Sequence, residues 1–541
     1  MITRASVPVV ALLAAAACAA VPSAAGVSAA PATPVADSTR LVVLLVVDQL
    51  PADLLDRYDA AFTGGFRRIR DRGLRFSNAT HDHAVTETAP GHATIATGTE
   101  PARHGVPAND WWEQEEGGQL KLVLNVVDPT VPLVGYPTLA GAAPTVLRRS
   151  GLGEWMQAAD SESRVVSVSG KDRGAVLLAA HSRGLVYWFD PTVAGFVTSV
   201  HYRDDDPDWI TAFNDEVVAD ARTDSVWSLT VPDELRALAR PDTFPWEADG
   251  VHTAFPHRLG ELSDEGGAPD EIGWFMAATP TVDALTLRLA ERAVAEESLG
   301  RDDHPDLLAV SLSQTDRIGH AYGPTSLEQL DNLLRLDEAL GAFLDALDAS
   351  VGPEHYLVAF TSDHGVMELP EVRAANGLPG LRLTRDSAAT LQEVVNAVAR
   401  EVGTGDPDAL ARGLAEAAPT VAWVDRAWTR SALAAGPVEA DSFTRLHVAS
   451  EVADRPTGLL ARAGVVLQFS EGVVTWGYPF GAAHSTPYLY DRHVPLVFVG
   501  PGLEPGVRTD AASAADLAPT LAALLGIAHP DDLDGTDLRI R

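Results

Sequence analysis

Cysteine is all but missing from this chain: Cys18 is the only one in 541 residues, and it lies near the amino terminus. A disulfide framework is therefore excluded. If cleavage falls beyond Cys18, the mature protein also has no thiol nucleophile and no zinc–thiolate site. Lysine is nearly as scarce, with Lys121 and Lys171 alone among 40 basic residues. The basic residues are outnumbered by 75 acidic ones, for a formal net charge of -35. A surplus of that sign repels polyanions and argues against non-specific nucleic-acid binding, and the chain carries no nucleic-acid motif and no internal repeat. An anionic substrate must instead meet a locally positive site, made by metal ions or a few placed cations.

What is present reads as an exported globular protein, 46% hydrophobic and 21% charged. Arg4, the apolar run from Val7 to Ala20 and small residues through Ala30 form an export signal over residues 1–30, which directs the protein to the periplasm or beyond. The run is short for a stable membrane span. Cys18 offers a lipid attachment point, but Ala15-Ala-Ala-Cys18 lacks the leucine usual three residues earlier, so simple secretion is preferred. A Pro/Ala-rich linker, 31–40, leads into a domain spanning 41–541, long enough to require insertions.

Leu41 to Val47 is a continuous apolar run, as in a strand buried on both faces of a parallel sheet. Comparable runs are Arg164–Ser169, Asp306–Leu312, Tyr356–Phe360 and Val494–Val499. Helical patterns follow from Asp53, over Gly65–Arg72, Val282–Glu297 and Ser326–Ala349, and at Ala514–Leu525. The alternation predicts an α/β fold with a mainly parallel central sheet flanked by helices. Irregular stretches near 187–280 and 369–475 read as inserted lobes, the second with helices at Ala388–Glu401 and Pro407–Ala417. Asp204 to Asp208 could hold calcium, but without a loop signature a solvated acidic loop is preferred.

Open parallel sheets bind ligands beyond the carboxyl ends of their strands. Asp48, Asp316 and Asp363 all follow buried-looking strands there, with His320 and His364 in similar positions and His484 just before a strand. Carboxylates crowded into one crevice repel one another unless cations compensate, and a carboxylate and imidazole set without thiolate suits zinc first, then manganese or iron. Each signal has a plainer alternative: Asp48 as a cap, Asp363 as a turn residue, Asp316 and His320 as a chance pair, His484 as a satisfied polar residue. His81, His83, His92 and His104 read as structural. Thr88 precedes Ala-Pro-Gly-His92 at the start of a helix running to Thr97 and closed by Gly98. Its hydroxyl either caps that helix or faces an anion held by the helix amino terminus.

Taken together, Val47-Asp48-Gln49, Thr88-Ala-Pro-Gly-His92 with Thr97-Gly98-Thr99, Asn109, Ser169-Gly-Lys-Asp-Arg173, Asp316 to His320, Thr361-Ser-Asp-His-Gly365 and His484 to Asp491 resemble the alkaline phosphatase superfamily. The similar branch holds the bacterial phosphate-irrepressible alkaline phosphatases and the nucleotide pyrophosphatase/phosphodiesterases, and it covers nearly the whole mature chain. The resemblance implies one zinc on Asp316, His320 and His484 and a second on Asp48, Asp363, His364 and the Thr88 oxygen, with Thr88 forming a covalent phosphothreonine. Lys171, Arg173 and Asn109, as that family uses them, mark an enzyme of small phosphate monoesters. The monoester dianion carries an extra charged oxygen for such groups to hold. The rival readings are a phosphodiesterase or nucleotide pyrophosphatase with the same metals, and a secreted binding protein of the same fold. A sulfatase is disfavoured, because that branch needs a modified Cys or Ser in another motif.

Overall fold

The computed structural model describes residues 39–115, 118–262, 267–268, 270–403, 405–436 and 440–540. The expected export signal and Cys18 lie outside them. A nine-stranded sheet organises the rest. Its strands are β1 (Leu41–Val47), β2 (Leu74–Thr80), β3 (Val165–Ser169), β4 (Leu185–Asp190), β5 (Gly195–Val197), β6 (Asp306–Leu312), β7 (Tyr356–Thr361), β8 (Leu496–Val499) and β9 (Gly506–Ser513). Across the sheet the order is β9-β2-β8-β7-β1-β6-β3-β4-β5. Only β8 and β5 run against the others, so the sheet is mainly parallel, as the apolar runs predict.

Alternation along β1 explains why it lies at the centre. Leu41, Val43, Leu45 and Val47 join one apolar core, and Val42, Leu44 and Val46 join another on the opposite face. The first core is completed by α1 (Ala52–Tyr58), α2 (Gly65–Arg72), α5 (Thr281–Glu296) and α7 (Leu327–Ser350). The second takes residues of α3 (Thr88–Thr97) and α8 (Leu517–Leu525). Two more helices matter below, α4 (Asp172–Ala179) and α6 (Gln314–Tyr322). All seven β1 residues are buried, at roughly 1.5–3 kcal/mol for each Val or Leu side chain removed from water.

Register brings the carboxyl ends of the central strands level. Val47 lies opposite Leu312, Val46 opposite Thr361, and Ser311 opposite Ser169. Asp48, Lys171, Asp316 and Asp363 follow those four strand ends.

The structure differs from the sequence reading in three places. Strands β2 and β9 escape it because they are half-exposed and polar, with Arg75, Ser77 and Asn78 in one and Arg508, Thr509 and Asp510 in the other. The stretch after Asn109, where the sequence suggests no strand, forms two antiparallel ribbons, Trp111–Gln114 with Leu120–Val123 and Val127–Leu133 with Tyr136–Ala142. The insertion expected from 187 starts inside the sheet, since β4 and β5 continue the sheet to Val197. The segment Asp204–Asp208 is the solvent-facing acidic loop that the sequence reading prefers, running into a helix at Asp208; its Asp206 accepts a hydrogen bond from Tyr187, and it brings together no metal-binding group among the described residues. Among those residues no helix is long and apolar enough to cross a membrane.

Candidate active site

Thr88 is the first residue of α3, not its cap. Glu87 precedes it in extended conformation, and Gly98 ends the helix with φ +64, its N–H bonded to Thr94 O. The amide of Ala89 is taken by Asn109 Oδ1 at 2.9 Å, so another side chain does the capping that Thr88 might have done. Glu87 holds the surroundings together: Oε2 accepts the Asn109 N–H at 2.6 Å and Oε1 the Ser485 hydroxyl at 2.7 Å. Gly91 shows how tightly α3 lies on the Asp363 turn. A Cβ there would come 2.2 Å from Asp363 O.

Lys171 sits between two carboxylates. Its ammonium donates to Asp48 Oδ2 at 2.7 Å and Asp316 Oδ2 at 2.5 Å, and the side chain is 1% exposed. Burial favours the neutral amine, but Asp316 and Asp48 outweigh it and raise the lysine pKa, so the ammonium stays charged. Burial and then the Asp363 charge push Asp48 well above the usual carboxylate range, against the pull of Lys171. Asp316 goes the other way: burial opposes its ionisation, yet Lys171 and His320 hold it well below that range. Gln49 ties the group together with φ +62, rare for a side-chain-bearing residue. Its N–H donates to Asp363 Oδ1 at 3.0 Å and its Nε2 to Asp316 Oδ1 at 2.5 Å.

Three imidazoles turn their Nε2 atoms inward. His320 Nδ1 donates to Ala482 O at 2.9 Å, His484 Nδ1 to Thr86 O at 2.6 Å and His364 Nδ1 to Gly365 O at 2.9 Å. Because a carbonyl only accepts, each bond places a proton on Nδ1, so the neutral ring carries its lone pair on Nε2. The Nε2 atoms of His320 and His484 face each other at 3.1 Å, and that of His320 also lies 3.2 Å from Asp316 Oδ1, which raises the His320 pKa against the effect of burial; in neutral rings the two lone pairs would repel unless a proton or a cation lies between them. His364 stacks on His484 with ring centroids 3.9 Å apart. Asp48 Oδ1, Asp363 Oδ2 and His364 Nε2 are buried without a hydrogen-bond partner. Their ligand atoms form two convergent sets, Asp316 with His320 and His484, and Asp48 with Asp316 and His364. Asp363 stands beside the second set, its Oδ2 3.6 Å from His364 Nε2. Orphaned acceptors of one polarity, buried together, fit divalent cations.

A cleft of about 630 Å³ opens over these groups. Thr88, Asn109, Arg173, Asp316, His320 and His484 line it. Lys171 lies beneath it, although the sequence reading has it facing substrate. Tyr478 stacks on His320 with ring planes 10° apart. Three supporting residues go unread in the sequence. Gln49 sits in the Asp48 motif but is given no role, Glu87 carries no motif of its own, and His92 sits in the Thr88 motif but reads as structural. His92 Nδ1 lies 2.9 Å from Thr88 O and 3.1 Å from Asp363 Oδ2, and its Nε2 lies 2.8 Å from Ser311 Oγ. His81, His83 and His104 are buried supports bonded to Ser362 O, Glu100 and Thr94.

A family model described as type I phosphodiesterase / nucleotide pyrophosphatase matches residues 42–398. The chain belongs to that family, within the alkaline phosphatase superfamily. It is 31% identical to the alkaline phosphatase PhoV of Synechococcus elongatus over 92% of each chain. It is 30% identical to the alkaline phosphatase PafA of Elizabethkingia meningoseptica over 92% of this chain and 93% of that one. A crystal structure of wild-type PafA aligns with a TM-score of 0.79 at 28% identity, covering 94% of this chain and 99% of the other.

Proposed function

We propose that this protein is an exported, zinc-dependent phosphatase that hydrolyses small phosphate monoesters through Thr88. The observation that carries the reading is the convergence of lone pairs on Asp48, Asp316, Asp363, His320, His364 and His484 beside the amino end of α3. Two zinc ions, one held by Asp316, His320 and His484 and the other by Asp48, Asp363, His364 and Thr88, would supply the charge that lowers the hydroxyl pKa and stabilises the departing oxygen.

The chain's own groups do the rest. Thr88 Oγ1 attacks phosphorus and the ester oxygen leaves as the alcohol, giving phosphothreonine; water then cleaves that bond and returns the hydroxyl, with net retention. The helix amino end favours the anion bound there. Asn109, its Oδ1 bonded to Ala89, offers its Nδ2 hydrogens to a phosphate oxygen, and Arg173 offers a planar pair of donors. Lys171 keeps Asp316 ionised and bridges it to Asp48.

The named relatives are alkaline phosphatases, whereas the family model is named for diesterases, so the rival is a phosphodiesterase built on the same groups. Lys171, Arg173 and Asn109 favour the monoester. Hydrolysis of an aryl phosphate and of its methyl diester separates the two, and preference for the diester refutes the proposal. Thr88→Ala should abolish turnover while keeping bound metal, measured by elemental analysis. A binding protein would show phosphate affinity with no turnover in either form.

A further inference from the structure

The helix that starts at Thr88 rests on the Asp363 turn, through Gly91 and through His92, whose Nδ1 touches both Thr88 O and Asp363 Oδ2. An in-line attack by Thr88 therefore starts on the side of Asp48, Asp363 and His364. It expels the ester oxygen toward the opposite set, Asp316, His320 and His484. The two sides of the cleft differ in charge. Apart from the ligand residues, its charged lining is Glu87, Asp110 and Arg173. These form one group, since Asp110 and Arg173 both act on the Glu87 carboxyl, which in turn holds Asn109. That group faces the phosphate. Around His320 and His484 the cleft is bordered by Gly477, Tyr478 and Ala483, with no further charged side chain among the described residues.

Tyr478 is the large side chain on that border, and it is 41% exposed. Its ring lies parallel to the His320 imidazole with centroids 5.6 Å apart, an offset stack that leaves the tyrosine beside the imidazole rather than squarely over it. The backbone beneath the ring is clamped. Arg382 donates from Nη1 to Tyr478 O and from Nη2 to Gly481 O, both at 2.8 Å. The guanidinium is itself gripped by both Glu371 oxygens at 2.8 Å, and the Arg382 side chain is nearly buried. The next turn of the loop is locked to His320. Ala482 N–H donates to His320 O at 2.9 Å, and a Cβ on Gly481 would run into that same oxygen. An aromatic surface held this firmly loses little freedom when a second ring settles against it.

We propose that Tyr478 is a specificity-determining residue: its ring is a platform for the alcohol portion of the phosphate monoester, and it selects uncharged alcohols with a flat aromatic group close to the ester oxygen. The inference rests on the phosphatase reading, which sets the direction in which the alcohol departs. A methyl group is too small to cover the tyrosine ring. A puckered saturated ring of the same bulk brings apolar area but not the ring-on-ring contact.

The test compares kcat/KM for methyl, cyclohexylmethyl and benzyl phosphates, whose alcohols are of similar acidity, so that intrinsic reactivity does not set the order. Wild type should favour the benzyl ester over each of the others by about threefold to tenfold, the scale of one aromatic pair. Tyr478→Ala should erase that preference, and Tyr478→Phe should keep it. Binding of 2-phenylethylphosphonate and ethylphosphonate, uncleavable isosteres of the benzyl and methyl esters, should show the same gap by calorimetry and the same loss in Tyr478→Ala. The exposed position tolerates truncation, and the order in wild type tests the proposal without any variant. The proposal is overturned if wild type treats benzyl and cyclohexylmethyl phosphates alike. It is also overturned if Tyr478→Ala slows all three esters equally, the result of a ring that only props His320. A wild-type protein that cleaves none of the three refutes the phosphatase reading and the proposal with it; cleavage without the benzyl preference refutes the proposal alone.

Discussion

Lys171→Met tests the electrostatic account of the site most directly. The substitution keeps a stem of similar length and removes one ammonium from two carboxylates at 2.7 and 2.5 Å, with side chains 0% and 6% exposed. Removing one partner of a buried ion pair typically costs about 3–5 kcal/mol, because the other charge is left uncompensated. Here Asp316 is the charge left uncompensated, whereas Asp48, already pushed up by burial and Asp363, takes a proton instead, so with a chelator present the loss should fall within that range. Divalent cations on the same carboxylates supply the missing charge. With saturating zinc, the loss should shrink to below about 1.5 kcal/mol, as for an apolar swap of similar volume. The measurement is urea unfolding of wild type and variant in chelator and in zinc, compared by midpoint and slope. An equal loss in both conditions would refute the reasoning. So would a variant that matches wild type in chelator, since Asp316 would then not depend on Lys171 for its charge.

Three further outcomes follow from the geometry. Asn109→Ala removes the acceptor for the Ala89 amide and a donor from the cleft, so it should lower thermal stability by about 1 kcal/mol, as lost caps do, and monoester turnover by more than that figure accounts for. Gly91→Ala places a Cβ 2.2 Å from Asp363 O, and should cost about 1–3 kcal/mol and weaken zinc retention on dialysis. Asp283 accepts the N–H groups of Ser313 and Gln314 at 2.6 and 3.1 Å, and burial pushes its carboxyl from 3.8 to about 7. The folded state therefore holds that proton longer than the unfolded state, and the stability it contributes below about pH 4 is lost as pH rises to about 7. Asp283→Asn should gain on wild type across that window in parallel denaturation curves, and a pH-independent difference would count against the shift.

How much of this was legible in the chain depended on where each contact draws its partners. Strand β6 can be read residue for residue because burial on both faces demands an unbroken apolar run, and β1 likewise; β2 and β9, half in water, leave no such trace. Asp48 and Asp363 are visible because they interrupt such runs at the end where parallel sheets bind ligands. Asp316 and His320 are visible as a spaced pair, but not as neighbours on one face of α6, which follows the strand almost without a break. Gln49 is visible as part of the Asp48 motif but its role is not: its bonds reach Asp363 and Asp316, and only a positive φ after Asp48 aims its amide at Asp316. His92 was open to view inside the Thr88 motif, yet its partners, Asp363 and Ser311, come from two other strands. Lys171 falls between these cases. Its rarity singles it out in a chain that otherwise uses arginine, but rarity says only that an ammonium is wanted, not what it faces. The structure supplies the reason for the choice. Two buried carboxylates brought this close need a compact point charge that can donate to each, whereas arginine's planar fork is better matched to the oxygens of a bound anion, where Arg173 lines the cleft two residues later.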